Sequence, residues 1–366
     1  MRLPVPAGAA GRRAGGGARL ARLASGRGGW RPAAGWCSFA LGVVALGLFG
    51  ATTTQLGTLR IWTIVLMYVV LTEAWTVLGG YGGYLNFGMA MFFGIGAYTT
   101  AIVSGHTGIP PLATVPAAGA VAAILGVAIG IPSLRLRGAY FAIVTFVLTL
   151  ALEQLVSILG ITNGALGLYL KPPALSPQAG DQLFFYIFLG GAVAVTLGVR
   201  QIGRSRFGSS LVAIREDEDA AEILGVPTTR VKTIAFTFAA CVAGMVGCVY
   251  AAQLYYIEPV STFDFSLSLN VVVAAIVGGA QVWVGPLLGA LATQFLSQEF
   301  LSSTQGVEGN FILGALLVIF ARFIPGGIVG FTRRRRRPHS GTVSPAREPS
   351  HIEGTGENAT SGATVG

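Results

Sequence analysis

The chain has 366 residues, of which 53% are hydrophobic and only 11% charged, and it carries a net charge of +9. Ordinary soluble domains hold about 25% charged residues, so a water-soluble enzyme and a wholly disordered chain are both excluded and a polytopic membrane protein is indicated. Only two residues are lysines, Lys171 and Lys232, and neither sits in the glycine pattern of a Walker A loop, so the chain lacks that ATP site.

Residues 1–35 are rich in Gly, Ala and Arg without apolar periodicity, which predicts a disordered basic cytoplasmic tail. A cleaved signal peptide with 36–50 as its apolar core is the competing reading, but no small-residue cleavage site follows it. A spanning helix needs about 20 apolar residues. Ten runs qualify: 36–56, 61–79, 86–104, 112–131, 139–160, 183–199, 233–254, 267–283, 286–302 and 309–325. Eight helices remain if two of the weaker runs are re-entrant. The runs are continuous rather than alternating, which argues against a barrel. The expected fold class is therefore all-α, a polytopic transmembrane bundle. Residues 36–332 form its membrane domain. Residues 333–366 form a basic, then disordered, cytoplasmic tail.

The charges test that count. With both termini placed in the cytoplasm, 22 of the 24 Lys and Arg residues fall on inside segments, and only Arg60 and Lys171 fall outside. This is the asymmetry that the positive-inside rule demands. An odd number of helices would put either the basic leader or the Arg333–Arg337 run outside. That arginine run is also able to meet anionic lipid. Trp36, Trp62, Tyr169, Tyr186, Tyr255, Tyr256 and Trp283 fall near predicted helix ends, as interface anchors do.

The three cysteines, Cys37, Cys241 and Cys248, form no CxxC. Cys241 and Cys248 share a helix face and are read as core packing. The histidines are His106, His339 and His351, and the last two lie in the polar tail. No metal site or acid–base constellation is expected, so the chain is expected not to be a membrane enzyme. No nucleic-acid partner is expected either, because the excess charge is explained by topology.

Four segments carry candidate function. Residues 200–232 are the longest cytoplasmic stretch between helices. A helix-like patch from about Leu211 to Leu224 has an acidic edge at Glu216–Asp219. Gly225 is placed to end it in a left-handed conformation and Pro227 to prevent its resuming. Such a helix can dock in a groove of another protein. The second segment, GGYGGYLNFGMAMFFGIGAY (79–98), has two readings. Gly79, Gly80, Gly82 and Gly83 suit an unwound entry lining a cavity, while Gly88, Gly94 and Gly96 suit tight helix contacts. The third, ITNGALGL (161–168), puts Asn163 and Gly164 at a turn. Last, Glu73 and Glu153 lie within apolar runs, where an ionisable group usually faces the bundle interior or a pore. Glu73, Asn86, Glu153, Asn163 and Gly164 are the candidates for a substrate path.

The order GYGGYLNFG…FFGIGAYT, RLRGAYFAIVTF, TNGALGL, AIREDEDAAEILGV, TRVKTIAF and IVGGAQVWVGPLLGA resembles the permease subunits of branched-chain amino acid ABC importers, the LivM type. The likeness runs over roughly residues 60–330. Asp219-Ala220-Ala221-Glu222-Ile223-Leu224-Gly225 is similar to the EAAxxxG coupling loop of importer permeases, with Asp where Glu is common. The resemblance implies that Arg215, Glu216, Asp217, Glu218, Asp219, Ala220, Ala221 and Gly225 dock in a cleft of an ATPase subunit. It also implies a second permease subunit, two ATP-binding cassette ATPases that carry the ATP and Mg, and an external solute-binding protein. This chain itself would hold no cofactor and would sit in the cell membrane of a bacterium. Tyr84 and Met89 depart from the Gln and His of many members, and Ala280-Gln281-Val282 departs from a frequent Gly-Ser or Gly-Thr. These positions bear on the substrate, for which urea or short amides are the alternative. A proton-coupled secondary transporter using Glu73 and Glu153 is a further alternative that would need no ATPase.

Overall fold

The computed structural model describes residues 31–53, 55–172 and 175–303. The predicted span 309–325 and nearly all of both tails lie outside the described residues. Among the described residues the chain is a helical bundle with a single two-stranded pairing. Its helices are α1 (Arg31–Thr52), α2 (Leu56–Thr76, continued by a π-turn over Val77–Tyr81), α3 (Met89–Thr107) and α4 (Val115–Ser133). There follow α5 (Ala139–Ile158), α6 (Pro177–Arg204), α7 (Arg206–Glu216) and α8 (Glu218–Ile223). The last are α9 (Thr228–Leu254), the short α10 (Pro259–Thr262), α11 (Phe265–Gly278) and α12 (Gly285–Ser303). Nine of the ten predicted runs thus coincide with helices, shifted by a few residues. Two of them, α6 and α11, differ in opposite senses. The first extends beyond its apolar run at both ends. The second stops at Gly278, because Gly279 takes a left-handed conformation that ends helices.

By length and composition, six described helical segments are able to cross a membrane: Leu56–Tyr81, Pro111–Ser133, Ala139–Ile158, Pro177–Arg204, Thr228–Leu254 and Pro259–Gly278. The chain is a multi-pass membrane protein. Helices α2 and α9 form the buried centre, whereas α4 and α5 leave most of their apolar surface uncovered. Without a hydrophobic drive between helices in lipid, close approach of small residues has to supply the packing. It does so along α9. A Cβ on Gly247 would stand 1.9 Å from the carbonyl oxygen of Phe93 on α3, and one on Gly96 would stand 2.0 Å from that of Gly244. On its other side α9 meets Ala118, Ala122 and Gly126 of α4. Cys248 is buried in this seam, within reach of Thr114 and the Pro111 carbonyl.

Helices α2 and α6 run side by side in the same direction. Arg60 near the start of α2 pairs with Asp181 near the start of α6 at 3.0 Å. At their far ends Tyr81 lies against Gly203. The bundle therefore has two distinct ends. At the Arg60 end, β1 (Leu168–Tyr169) pairs antiparallel with β2 (Tyr256–Ile257), which ties the long connection after α5 to the loop after α9.

The seam gives a test. Gly247→Ala should lower the thermal midpoint in detergent by several degrees, since overpacking costs about 1–3 kcal/mol. Gly190→Ala, where a Cβ meets nothing within 4 Å, should leave it unchanged. Fluorescence-detected unfolding of the purified chain makes the comparison.

Candidate functional site

At the Tyr81 end three segments converge: the turn-rich stretch 82–88, the loop between α4 and α5, and the segment between α6 and α9. The last was expected as one helix over about 211–224. It is two, because Asp217 is extended (φ −160, ψ 110) and its carboxylate caps the N-terminus of α8 by accepting from the Ala220 N–H at 3.0 Å. An aspartate in that role satisfies an otherwise orphaned helix donor. Helix α7 is likewise started by Ser205, which accepts from Gly208 N–H. Gly225 ends α8 as expected, with φ +86. Its N–H donates to the Glu222 carbonyl and that of Val226 to the Ala221 carbonyl, the paired closure that requires a left-handed residue.

The acidic run splits by direction. Glu218 turns inward. Its carboxylate accepts from Lys232 Nζ of α9 and from the Tyr84 hydroxyl, each at 2.5 Å. Lys232 Nζ also donates to the Tyr84 hydroxyl and to the Leu134 carbonyl, both at 3.0 Å. Arg137, in the loop between α4 and α5, grips Asp219 through both terminal nitrogens at 3.1 and 2.7 Å and lies 3.6 Å from Glu218. Arg215 donates to the Gly80 carbonyl at 3.2 Å and to Glu216 at 2.7 Å. Glu216 and Asp217 are otherwise exposed, as is Ala220, while Ala221 is buried. Burial pushes the Glu218 carboxyl up, but hydrogen bonds from Lys232 and Tyr84 and the charges of Lys232 and Arg137 outweigh it and hold it below the usual range. The Asp219 carboxyl is held low by its hydrogen bonds from Arg137. Burial, with the Glu218 carboxylate, pushes the Tyr84 phenol up, so it remains a neutral donor.

Residues α8 leaves outward are the informative ones. Ile223 is 86% and Leu224 82% exposed, two large apolar side chains presented side by side at its end. Leu211 and Ile214 of α7 are buried instead and hold the segment to the bundle.

The glycine-rich stretch divides elsewhere than its two readings do: Gly79 and Gly80 lie in the π-turn, Gly82 and Gly83 in the non-helical part, and Gly88 ends that part rather than packing inside α3. Past the π-turn, residues 82–88 are non-helical, and their buried polar backbone is met by side chains. Trp75 Nε1 donates to the Asn86 carbonyl at 2.8 Å, Thr149 Oγ1 donates to the Phe87 carbonyl, and Phe87 N–H donates to Thr145 Oγ1. Ala90 N–H, opening α3, donates to Ser268 Oγ of α11. Gly94 and Gly96 lie inside α3 at close contacts with Phe263 and α9.

The remaining sequence candidates lie apart from one another. Asn86 is fully buried and its Oδ1 accepts from the Gly88 N–H, forming the turn into α3. Glu73 is fully buried on α2 facing the backbone of Leu287, with neither oxygen in a well-formed hydrogen bond. Glu153 is half-buried on α5. Asn163 is left-handed and its Nδ2 donates to the Gly167 carbonyl, and Gly164 follows it in the same turn. Lys232, Arg137 and Tyr84 join the acidic run here, although none of the three is a site candidate from the sequence and Tyr84 is read there as bearing on the substrate. Their signal was present: one of two lysines at the head of a membrane helix, and an arginine in a short loop opposite an acidic run. Among the described residues no group of His, Cys, Asp and Glu is placed to hold a metal ion.

The inward pairs set two expectations. Lys232→Met should destabilise the chain by about 2–3 kcal/mol, somewhat below the cost of stranding a fully buried charge, and adding Glu218→Gln should recover most of the loss in a thermal scan. Because the Glu218 and Asp219 carboxyls are depressed in the folded state, the tie is present above the ordinary carboxylate range near about 4. It should be lost as pH falls through the depressed values. Hydrogen exchange of residues 205–227 against pH should show protection falling only at acid pH.

Comparison with known proteins gives the family. The model for "Branched-chain amino acid transport system / permease component" matches residues 57–321. The high-affinity branched-chain amino acid transport system permease protein LivM of Salmonella typhimurium is 30% identical over 78% of this chain and 73% of its own length. LivM of Escherichia coli K12 is 29% identical over 83% of this chain and 77% of its own. The autoinducer 2 import system permease protein LsrC of Shigella flexneri is 26% identical over 54% of this chain and 68% of its own. No solved structure matched. With a match over well more than half its length, this chain belongs to the family of branched-chain amino acid transport system permease components.

Proposed function

We propose that this chain is the transmembrane permease subunit of an ATP-driven ABC importer in a bacterial cell membrane, carrying branched-chain amino acids. The observation that supports it best is the two-faced helix α8. Glu218 and Asp219 bind it to α9, to the 82–88 stretch and to the loop between α4 and α5, while Ile223 and Leu224 stand bare on its other side. A helix whose only job was to join α6 and α9 has no reason to expose them. An ATPase subunit supplies the groove that would cover them, and any displacement of α8 is delivered through fixed ion pairs to three parts of the bundle at once. Aromatic contacts carry it further, from Tyr84 to Phe141 at 5.5 Å, on to Phe236 at 5.9 Å and Phe92 at 5.2 Å.

On this reading ATP and Mg belong to two partner ATPases, and this chain holds no cofactor. The end bearing α8 faces the cytoplasm, in accord with the arginines gathered there. The Arg60 end faces an external solute-binding protein. A second permease covers part of the uncovered α4 and α5 surface. In support of two kinds of permease, LivH of Salmonella typhimurium carries the same transport-system name as LivM and is 29% identical over 38% of this chain. The substrate assignment rests on the LivM relatives. The uptake experiment decides it against urea or short amides.

Leu224→Asp, on an exposed side chain, should leave insertion and thermal stability intact. It should weaken capture of ATPase subunits from mildly solubilised membranes ~30-fold, the factor for an interface hot spot of about 2 kcal/mol. Asp219→Arg is a poorer probe, because it sets two guanidinium groups against each other at Arg137. Labelled leucine uptake should be lost in the same variant and competed by isoleucine and valine but not by urea or acetamide. Uptake that survives ATP depletion, or that an uncoupler stops while internal ATP is clamped, would replace this reading with a proton-coupled one. Equal ATPase capture by Leu224→Asp and wild type would remove α8 as the docking element.

A further inference from the structure

The end of the bundle away from α8 holds a cavity of about 560 Å³, bounded by the start of α2, the start of α6 and the end of α9. Two opposite charges stand in its wall, Arg60 and Asp181. They pair with each other through one edge. Arg60 donates from Nε to Asp181 Oδ2 at 3.0 Å. Its side chain is 61% exposed, whereas that of Asp181 is 9% exposed. One contact at Nε does not use up a guanidinium, which carries five donors, nor does one accepted bond use up a carboxylate. The pair is therefore able to take a second carboxylate on the arginine fork and a cation on the aspartate.

Tyr255 adds a donor held in place. It closes α9 at φ +61, a left-handed conformation that costs free energy for a bulky side chain. Its carbonyl accepts from the Leu170 N–H at 2.8 Å, beside the β1–β2 pairing, which pins it there. A Cβ on Gly180, the residue before Asp181, would lie 4.0 Å from the Tyr255 hydroxyl. Burial, and after it the Asp181 charge, pushes the phenol up, with Arg60 opposing, so the hydroxyl stays a neutral donor. Away from these groups the wall is apolar: Ile64, Leu175 and Leu254 line the same cavity, and the last two are exposed. Side-by-side opposite charges and an aliphatic wall thus share one hollow of the size that holds small molecules.

That combination selects its ligand. An α-amino acid carries its carboxylate and its ammonium on one carbon, so the two would meet Arg60 and Asp181 as neighbours and close an alternating ring of charges. Urea or a short amide has neither charge to offer. We infer that the Arg60–Asp181 hollow is a reception site for one zwitterionic α-amino acid with an aliphatic side chain. The carboxylate sits on Arg60, the ammonium on Asp181, and the side chain lies against Ile64, Leu175 and Leu254. The inference rests on the importer reading for the side of the membrane on which the hollow opens, and it adds to that reading the place where the solute first meets this chain.

The test measures labelled leucine bound to the purified full chain in detergent, by scintillation proximity and without partner subunits. Unlabelled leucine and valine should compete. Isocaproate, which lacks the ammonium, and isopentylamine, which lacks the carboxylate, should compete at least about tenfold more weakly, the factor for one lost hydrogen bond between charged groups. Leu175→Trp, at an exposed position, should fill the hollow and abolish binding while the thermal midpoint of the ligand-free chain stays unchanged. Arg60→Gln combined with Asp181→Asn removes both charges without stranding either, and should weaken binding by about tenfold or more. No leucine binding to wild type, or binding that both variants keep in full, would overturn the assignment. So would competition by the acid or the amine equal to that by leucine. Competition by phosphatidylethanolamine as strong as by leucine would overturn it too, since that headgroup is also a zwitterion and the hollow would then be a lipid site. Leucine uptake by the assembled transporter reads the importer assignment separately: uptake kept without binding here removes this site alone.

Discussion

Lys232 places an ammonium group among the Glu218 carboxylate, the Tyr84 hydroxyl and the Leu134 carbonyl. An ammonium buried to this extent is tolerated only when each of its donors finds an acceptor, since an unmet charge costs several kcal/mol to desolvate. That requirement fixes the relative positions of α9, the 82–88 stretch, the loop between α4 and α5, and α8 to within hydrogen-bond tolerance. The Arg137 fork on Asp219 repeats the constraint from outside, at a more exposed site where it contributes less. Remove these pairs and α8 becomes a loose surface loop. With them, it is a rigid extension of the bundle that still turns two apolar side chains away from it.

The glycines solve a different problem at the same end. A backbone that leaves its helix inside a bundle strands donors and acceptors that lipid cannot satisfy. Residues 82–88 do leave it, and Trp75, Thr145 and Thr149 supply their partners. Ser268 does the same for the first turn of α3. A few residues on, the same composition serves close packing, where α3 and α9 approach until Gly96 and Gly247 have no room for a side chain. The stretch is thus irregular where it meets the ion pairs and tightly locked where it meets the core.

How much of this was legible in the sequence follows from which signals are local. Helix existence is local: an apolar run of about 20 residues has few alternatives in lipid, and nine of the predicted runs are helices here. The stop at Gly225 was legible because a left-handed cap and a following proline are chemistry of adjacent residues. The break at Asp217 was not, since an aspartate within an acidic helical patch reads equally well as its edge. Inward and outward faces of α8 were also out of reach. Glu218 and Asp219 look alike in a run of acids, and only Lys232, Arg137 and Tyr84, brought from three other segments, tell them from Glu216. The buried-charge argument for Glu73 and Glu153 had the same weakness. It identified groups that are costly in a membrane but not the partners that decide what each one does.

Tyr84 shows why departures from a family pattern need the structure before they are interpreted. As a position in a glycine-rich segment it bears on the solute. In the fold its hydroxyl is shared by Glu218 and Lys232, its ring lies 4.9 Å from the Lys232 ammonium, and its edge packs on Phe141. A glutamine there would keep a hydrogen bond to the carboxylate but would lose the aromatic contact and the ring beneath the ammonium. The change therefore acts first on how firmly α8 is joined to the core. A tyrosine buried on one side and hydrogen-bonded on the other joins α8 to α9 more stiffly than a flexible amide would.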